Sequence, residues 1–177
     1  ELAHWICDRK TGSFQCAKED IGPQNAVAKS VEAYANRYAS QLILPDYLVE
    51  PWIQDKQVTL DSASTLAKDF SASLTAAAIK LVKRTMTAAC LACHSQTNLV
   101  WHQRSATFPF DFYVVQELHQ ETDAFRMAFG VASGMGRAKR EQANRWISGR
   151  DAYRLEVVSQ SVKLPDATVL TLLSLAK

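Results

Sequence analysis

Hydrophobic positions along this chain keep a helical spacing in the first half and give way to segments of strand composition in the second, and the change divides it. From Gln24 to Leu44 the apolar residues Val27, Val31, Ala35, Tyr38, Ala39 and Leu42 recur at steps of three and four. That spacing predicts an amphipathic helix, and Pro45 closes it. Ahead of it, ELAHWIC at Glu1–Cys7 lacks Gly and Pro and reads as the middle of a buried helix, loosened by Thr11–Ser13 and broken off by Gly22-Pro23. Around Pro51 to Lys56 the pattern is irregular. Ser62–Phe70 and Leu74–Thr87 then read as two short helices joined by Ser71-Ala72-Ser73, the first capped by Asp61, and together they resemble a helix-turn-helix.

Beyond Thr87 the texture changes and the chain becomes strand-rich. AACLACHSQTNLVWHQ predicts two strands about the polar turn Ser95–Asn98, and FDFYVV, AYRLEVV and ATVLTLL have strand composition. GRAKREQANR reads as a solvated helix or loop. Trp52, Trp101 and Trp146 are expected in the core or at its edge. The predicted class is therefore α+β, with a helical portion over 1–58, a helix-turn-helix-like segment over 59–87 and a small mixed, strand-rich part over 88–177.

Composition narrows the function classes. With 177 residues, 47% hydrophobic and 21% charged, the chain is long enough for a sizeable core and too apolar for intrinsic disorder. A formal net charge of +2 sets up no field that would by itself imply nucleic-acid binding. No apolar run reaches the length of a membrane span, the VLTLLSLA tail being strand length. The four cysteines, Cys7, Cys16, Cys90 and Cys93, are too few and too irregular for a disulfide scaffold, and point to thiols in a reducing, cytoplasmic setting.

Two segments carry residues of metal chemistry. ELAH is three-quarters of a His-Glu-x-x-His helix, in which two histidines one turn apart can bind one Zn²⁺ at about 2.0–2.1 Å. His4 is the second of that pair, and Glu1 occupies the position of the glutamate that takes a proton from the metal-bound water. The first residue is Glu1, so the first histidine is expected just upstream, and a leader segment stays open. On its own ELAH is a common coincidence, and a helical histidine is ordinarily a polar residue at a core boundary. The second segment is SVEAYANRYASQLILP, where Glu32 opens an E-x-x-A-N arrangement on a helix of small and apolar residues.

In that order, ELAH, EAYANRYA and LILP resemble the zinc helix and following helix of the ImmA/IrrE metallo-endopeptidases, whose stretch reads E-x-x-A-N-x-[FY]-A-x-x-[LI]-[LI]-x-P. The resemblance extends through LAKDFSASLTAAAIKLVKRT, with Leu66, Ala67, Phe70, Ser73, Ala77 and Leu81 at recurrent positions, and ends near residue 85. It implies a zincin-like peptidase portion over 1–58, zinc as cofactor, Glu32 as the third metal ligand beside His4, and Glu1 as general base. It also implies a protein substrate, a cytoplasmic helix-turn-helix repressor or antitoxin cleaved to release a stress or mobile-element response. Without upstream residues the chain is expected to be nearly inactive. The oxyanion-stabilising group stays open among His94, His102, His119 and several tyrosines.

Competing readings attach to other residues. CLACH at Cys90–His94 has the form of a haem-attachment motif, but its small apolar surroundings read better as a strand. Cys90, Cys93, His94 and His102 are chemically sufficient for a second zinc site, yet in a regular strand Cys90 and Cys93 face opposite ways. The helix pair could bind DNA through Lys80, Lys83 and Arg84, although its second helix offers no Arg, Asn or Gln near its start for base edges, and packing is the favoured role. The functional alternative is a non-proteolytic regulator that binds a transcription factor or DNA.

Overall fold

A computed structural model describes residues 26–176, with side chains from Ala35 onward. The chain forms two compact units, Glu1–Val49 and Glu50–Lys177.

In the first unit the predicted helix is α1, Ala26–Ile43. It stops where expected, because a residue ahead of a proline is pushed out of the helical region, here by Pro45. Asp46 then starts α2, Asp46–Ile53, with its N–H donated to Gln41 Oε1 at 3.2 Å. The expected irregular stretch at Pro51 is thus helical as far as Ile53. A proline interrupts a helix mainly through the N–H it lacks and its clash one turn back. So near the end of an eight-residue helix, little ladder remains for Pro51 to interrupt.

The second unit is a five-stranded antiparallel sheet with helices on one face and an irregular layer on the other. Its elements are α3 (Leu60–Asp69), α4 (Leu74–Arg84), β1 (Ala89–His94), β2 (Leu99–Arg104), β3 (Tyr113–Val114), α5 (Asp123–Ala128), β4 (Lys139–Gln142), β5 (Ile147–Ser148), β6 (Glu156–Lys163) and β7 (Val169–Leu175). Strand order in the large sheet is β2-β1-β7-β6-β4, while β3 and β5 form a separate pair. The α+β class holds, and the SQTN hairpin stands as expected.

Several boundaries differ, each for a local reason. The cap of α3 is Thr59, whose hydroxyl accepts the Ser62 N–H at 3.2 Å, and Asp61 lies inside the first turn. Helix α4 ends at Arg84 because Thr85 turns extended. FDFYVV contributes only Tyr113–Val114 to a strand, and the AYR of AYRLEVV is a 3-10 turn, Ala152–Arg154. GRAKREQANR was expected to be a solvated helix or loop. It instead supplies edge strand β4 and a 3-10 turn at Ala143–Arg145, because β6 offers a free edge that the Lys139–Gln142 backbone satisfies.

Register assigns the two sheet faces, since directly paired residues point to the same side. Leu91, Leu172 and Gln160 lie on one face, and Cys90, Leu173 and Ser159 on the other. The first face is covered by α3 and α4. Helix α4 sinks Ala77, Ala78, Lys80, Leu81 and Val82 out of solvent. The second face builds a core with Cys90, Ala92, Val157, Val169 and Leu173 beneath Phe108, Phe112, Met127, Trp146 and Ile147. Burial of five large side chains of this kind contributes on the order of 10 kcal/mol before conformational entropy is set against it.

Candidate functional site

Glu1 and His4 lie outside the described residues. Glu32 falls within α1. Ala35, three residues on, is buried at 2% exposure. Asn36, the other fixed residue of the E-x-x-A-N arrangement, is exposed. Among the described residues no three His, Cys, Asp or Glu side chains stand close enough together to hold a metal ion.

The CLACH segment is β1, and its two thiols are free and buried. Cys90 belongs to the core beneath Trp146, while Cys93, three residues on, faces the α3–α4 side. Burial pushes the Cys90 thiol up to about 12, against a smaller opposing effect of Arg104. Burial also raises Cys93, offset in part by a hydrogen bond with Thr168. Neither is a ready thiolate. The two cysteines, His94 and His102 therefore do not converge on one point.

Of the histidines weighed as oxyanion stabilisers, His94 is fully buried, with Nε2 3.1 Å from the Val115 carbonyl oxygen. Its Nδ1 is buried with no hydrogen-bond partner. Burial lowers its pKa, more than the Val115 contact raises it. Nε2 accordingly carries the proton and donates it, because a carbonyl cannot donate. His102 lies exposed on β2 and is lowered by partial desolvation and by Arg104. His119 accepts the Glu121 N–H through Nδ1 at 3.3 Å in an exposed turn.

The helix pair is joined through Ser71, which takes a positive φ of 51°. Of the basic residues considered for DNA, Lys80 is buried at 3% exposure, while Lys83 and Arg84 are exposed and Arg84 faces Glu50 at 3.6 Å. Most of α4 is committed to the sheet, as its small and aliphatic sequence allows.

Two polar sites had no signal in the sequence. Gln160, buried in β6, accepts the backbone N–H groups of Leu60 and Asp61 at 2.8 and 3.3 Å, and donates to Asp61 Oδ2 and Gly136 O, each at 2.9 Å. Glu141, buried in β4, accepts from Trp146 Nε1 at 2.9 Å and from the Ser159 hydroxyl. Its second oxygen faces Arg145 at 3.6 Å and Lys139 at 4.0 Å, and those cations also meet Glu121 and Asp123. The result is a ladder of alternating charge from Glu121 to Asp123. It ties β4 to α5 and to the turn before β5, and its carboxylates are already occupied by cations.

An open groove of about 780 Å³ lies by the α2–α3 linker and the ends of β6 and β7, lined by Val58, Met86, Val158 and Leu175 among others. Arg140 is the one charged residue lining it, and is paired with Glu156 at 3.5 Å. No acid–base pair converges there. Compared with known protein families and with curated proteins, the chain matches none.

Proposed function

We propose that this chain belongs to a zinc-dependent metallo-endopeptidase of the ImmA/IrrE type. Its substrate is a cytoplasmic protein, a helix-turn-helix repressor or antitoxin cleaved to release a stress or mobile-element response. The observation that carries this reading is the ordered occurrence of ELAH, EAYANRYA and LILP in one stretch of sequence. Two structural facts support it. The second motif lies within a single uninterrupted helix, and its Ala35 is buried.

In this reading His4 and Glu32 hold the zinc together with a histidine placed directly before Glu1, and the zinc polarises both water and the scissile carbonyl. Glu1 takes the proton of the attacking water and returns it to the leaving amine. A zincin-like architecture over 1–58 and a helix-turn-helix role for α3–α4 belong to the same proposal.

Paired zinc titration and cleavage assays of this chain, and of a version extended upstream by a histidine and its helical turn, test it. The extended version should bind zinc far more tightly and cleave a helix-turn-helix repressor. Glu1→Gln in that version should abolish cleavage and spare zinc binding. Equal zinc affinity in the two chains would remove His4, Glu32 and Glu1 as one site. Zinc and repressor binding without cleavage, even in the extended protein, would favour the non-proteolytic regulator.

A further inference from the structure

We propose that Arg104 and His102 form a binding site for a carboxylate-bearing ligand, on the face of β2 beside Tyr113. The proposal is independent of the peptidase reading and begins from the strand register. Arg104 pairs with Cys90, and His102 with Ala92. The two side chains therefore leave the sheet on the same side, about 7 Å apart along the strand. That side is the one built over by Phe108, Phe112 and Val114, which share a core with Cys90 and Ala92.

The overlying layer fixes the arginine. Its guanidinium carbon stands 5.6 Å from the Phe108 ring centroid and 5.7 Å from that of Tyr113, both within the range of cation–π attraction. Arg104 Nε is shut away from solvent and has no acceptor. Its two Nη groups meet no acceptor among the described residues either, and because the residue as a whole is only half-buried they are the donors left facing outward. Arg140, Arg145 and Arg154 each face a carboxylate, whereas Arg104 faces none among the described residues. The result is a partly desolvated, ring-held cation with its hydrogen-bonding edge unspent.

That arrangement selects the ligand. The planar guanidinium fork matches two oxygens of one carboxylate, and a fork already held by rings loses little freedom on binding. Partial desolvation strengthens its attraction for an anion. His102 adds a second donor without adding charge: Arg104 lies close enough to lower the imidazole below its ordinary value, second to the effect of desolvation, so the ring is neutral at pH 7 and carries one N–H. The site thus presents a single positive charge. A carboxylate balances it, whereas a phosphate carries more negative charge than the site can neutralise.

NMR titration of the histidine rings in the whole chain tests the site, with acetate as the probe, inorganic phosphate for comparison and chloride to match ionic strength. His102→Gln identifies the His102 signal, and His119, in its exposed turn, is the internal reference. Acetate should raise the His102 pKa saturably, because a carboxylate beside the ring favours its protonated form, and should leave His119 where chloride leaves it. Arg104→Lys keeps the charge and loses the fork, and should weaken acetate binding about tenfold. Arg104→Gln should abolish the saturable shift, with circular dichroism showing that the sheet is kept. The proposal fails if acetate moves His102 no further than chloride does. It fails equally if both Arg104 variants bind acetate as the unmodified chain does, or if phosphate binds more tightly than acetate. Should the glutamine variant not fold, the lysine variant decides alone.

Discussion

Gln160 Oε1 accepts the backbone N–H of Leu60 at 2.8 Å across a sequence separation of 100 residues, so a side chain on β6 caps helix α3 from outside. The first N–H groups of a helix have no partner within it, and one buried glutamine here serves two of them. Gln160→Ala leaves those donors and the Gly136 carbonyl short of partners. Urea unfolding should show a loss of at least about 2 kcal/mol, well above that of an ordinary surface substitution. A loss below about 0.5 kcal/mol would mean that water replaces the glutamine at no cost.

Glu141 should behave as the centre of its ladder. Glu141→Leu strands the Trp146 indole N–H in the core and should cost about 1–3 kcal/mol. Glu141→Gln keeps an acceptor for that N–H and should cost less, because Arg145 and Lys139 retain Glu121 and Asp123. Thermal unfolding of the two variants gives the ranking, and the reverse order would show that charge outweighs hydrogen bonding at this site.

Gly149 takes a φ of 152°, and a Cβ there would stand 2.5 Å from the Phe112 ring and 2.7 Å from the Asp111 carbonyl. Gly149→Ala therefore combines backbone strain with a clash against a buried ring. It should lower stability by about 2 kcal/mol or more, read from the urea midpoint. A neutral effect would place Phe112 in a looser setting than its burial implies.

His94 links stability to pH. Its pKa is lowered in the folded chain by burial, so the native state resists protonation while the unfolded chain accepts it near the ordinary value of 6.5. Its contribution is complete above that value and is lost progressively as pH falls from there towards the depressed folded pKa. Unfolding free energy should decline between pH 7 and 5, and the decline should be shallower in His94→Gln. Parallel pH profiles for the two proteins would assign the acid sensitivity to other groups.

Cys90 and Cys93 should resist modification. With both thiols buried and raised by desolvation, iodoacetamide at neutral pH should label neither in the native chain and both in urea, as peptide mapping would show. Rapid native labelling of Cys90 would require the sheet to open.

Local pattern determined a good part of this protein. Three- and four-residue spacing marked α1 and the α3–α4 pair, and strand composition on either side of the polar SQTN turn marked the β1–β2 hairpin, because those elements are closed by hydrogen bonds between near neighbours. The two-residue side-chain period of a strand separated Cys90 from Cys93 onto opposite faces. Glu1 and His4 stood out by the ELAH motif, and Glu32 by the resemblance of EAYANRYA, as residues of the proposed site.

Tertiary structure decided what depends on distant partners. KREQ became edge strand β4 because β6 presented a free ladder, and polar residues on both sides of that segment gave no alternation to read. Glu141 is buried because Trp146, Ser159, Arg145 and Lys139 gather around it, and Gln160 because it meets the start of a helix 100 residues earlier. A buried polar side chain is stable only where its partners converge, and that convergence exists only in the folded chain.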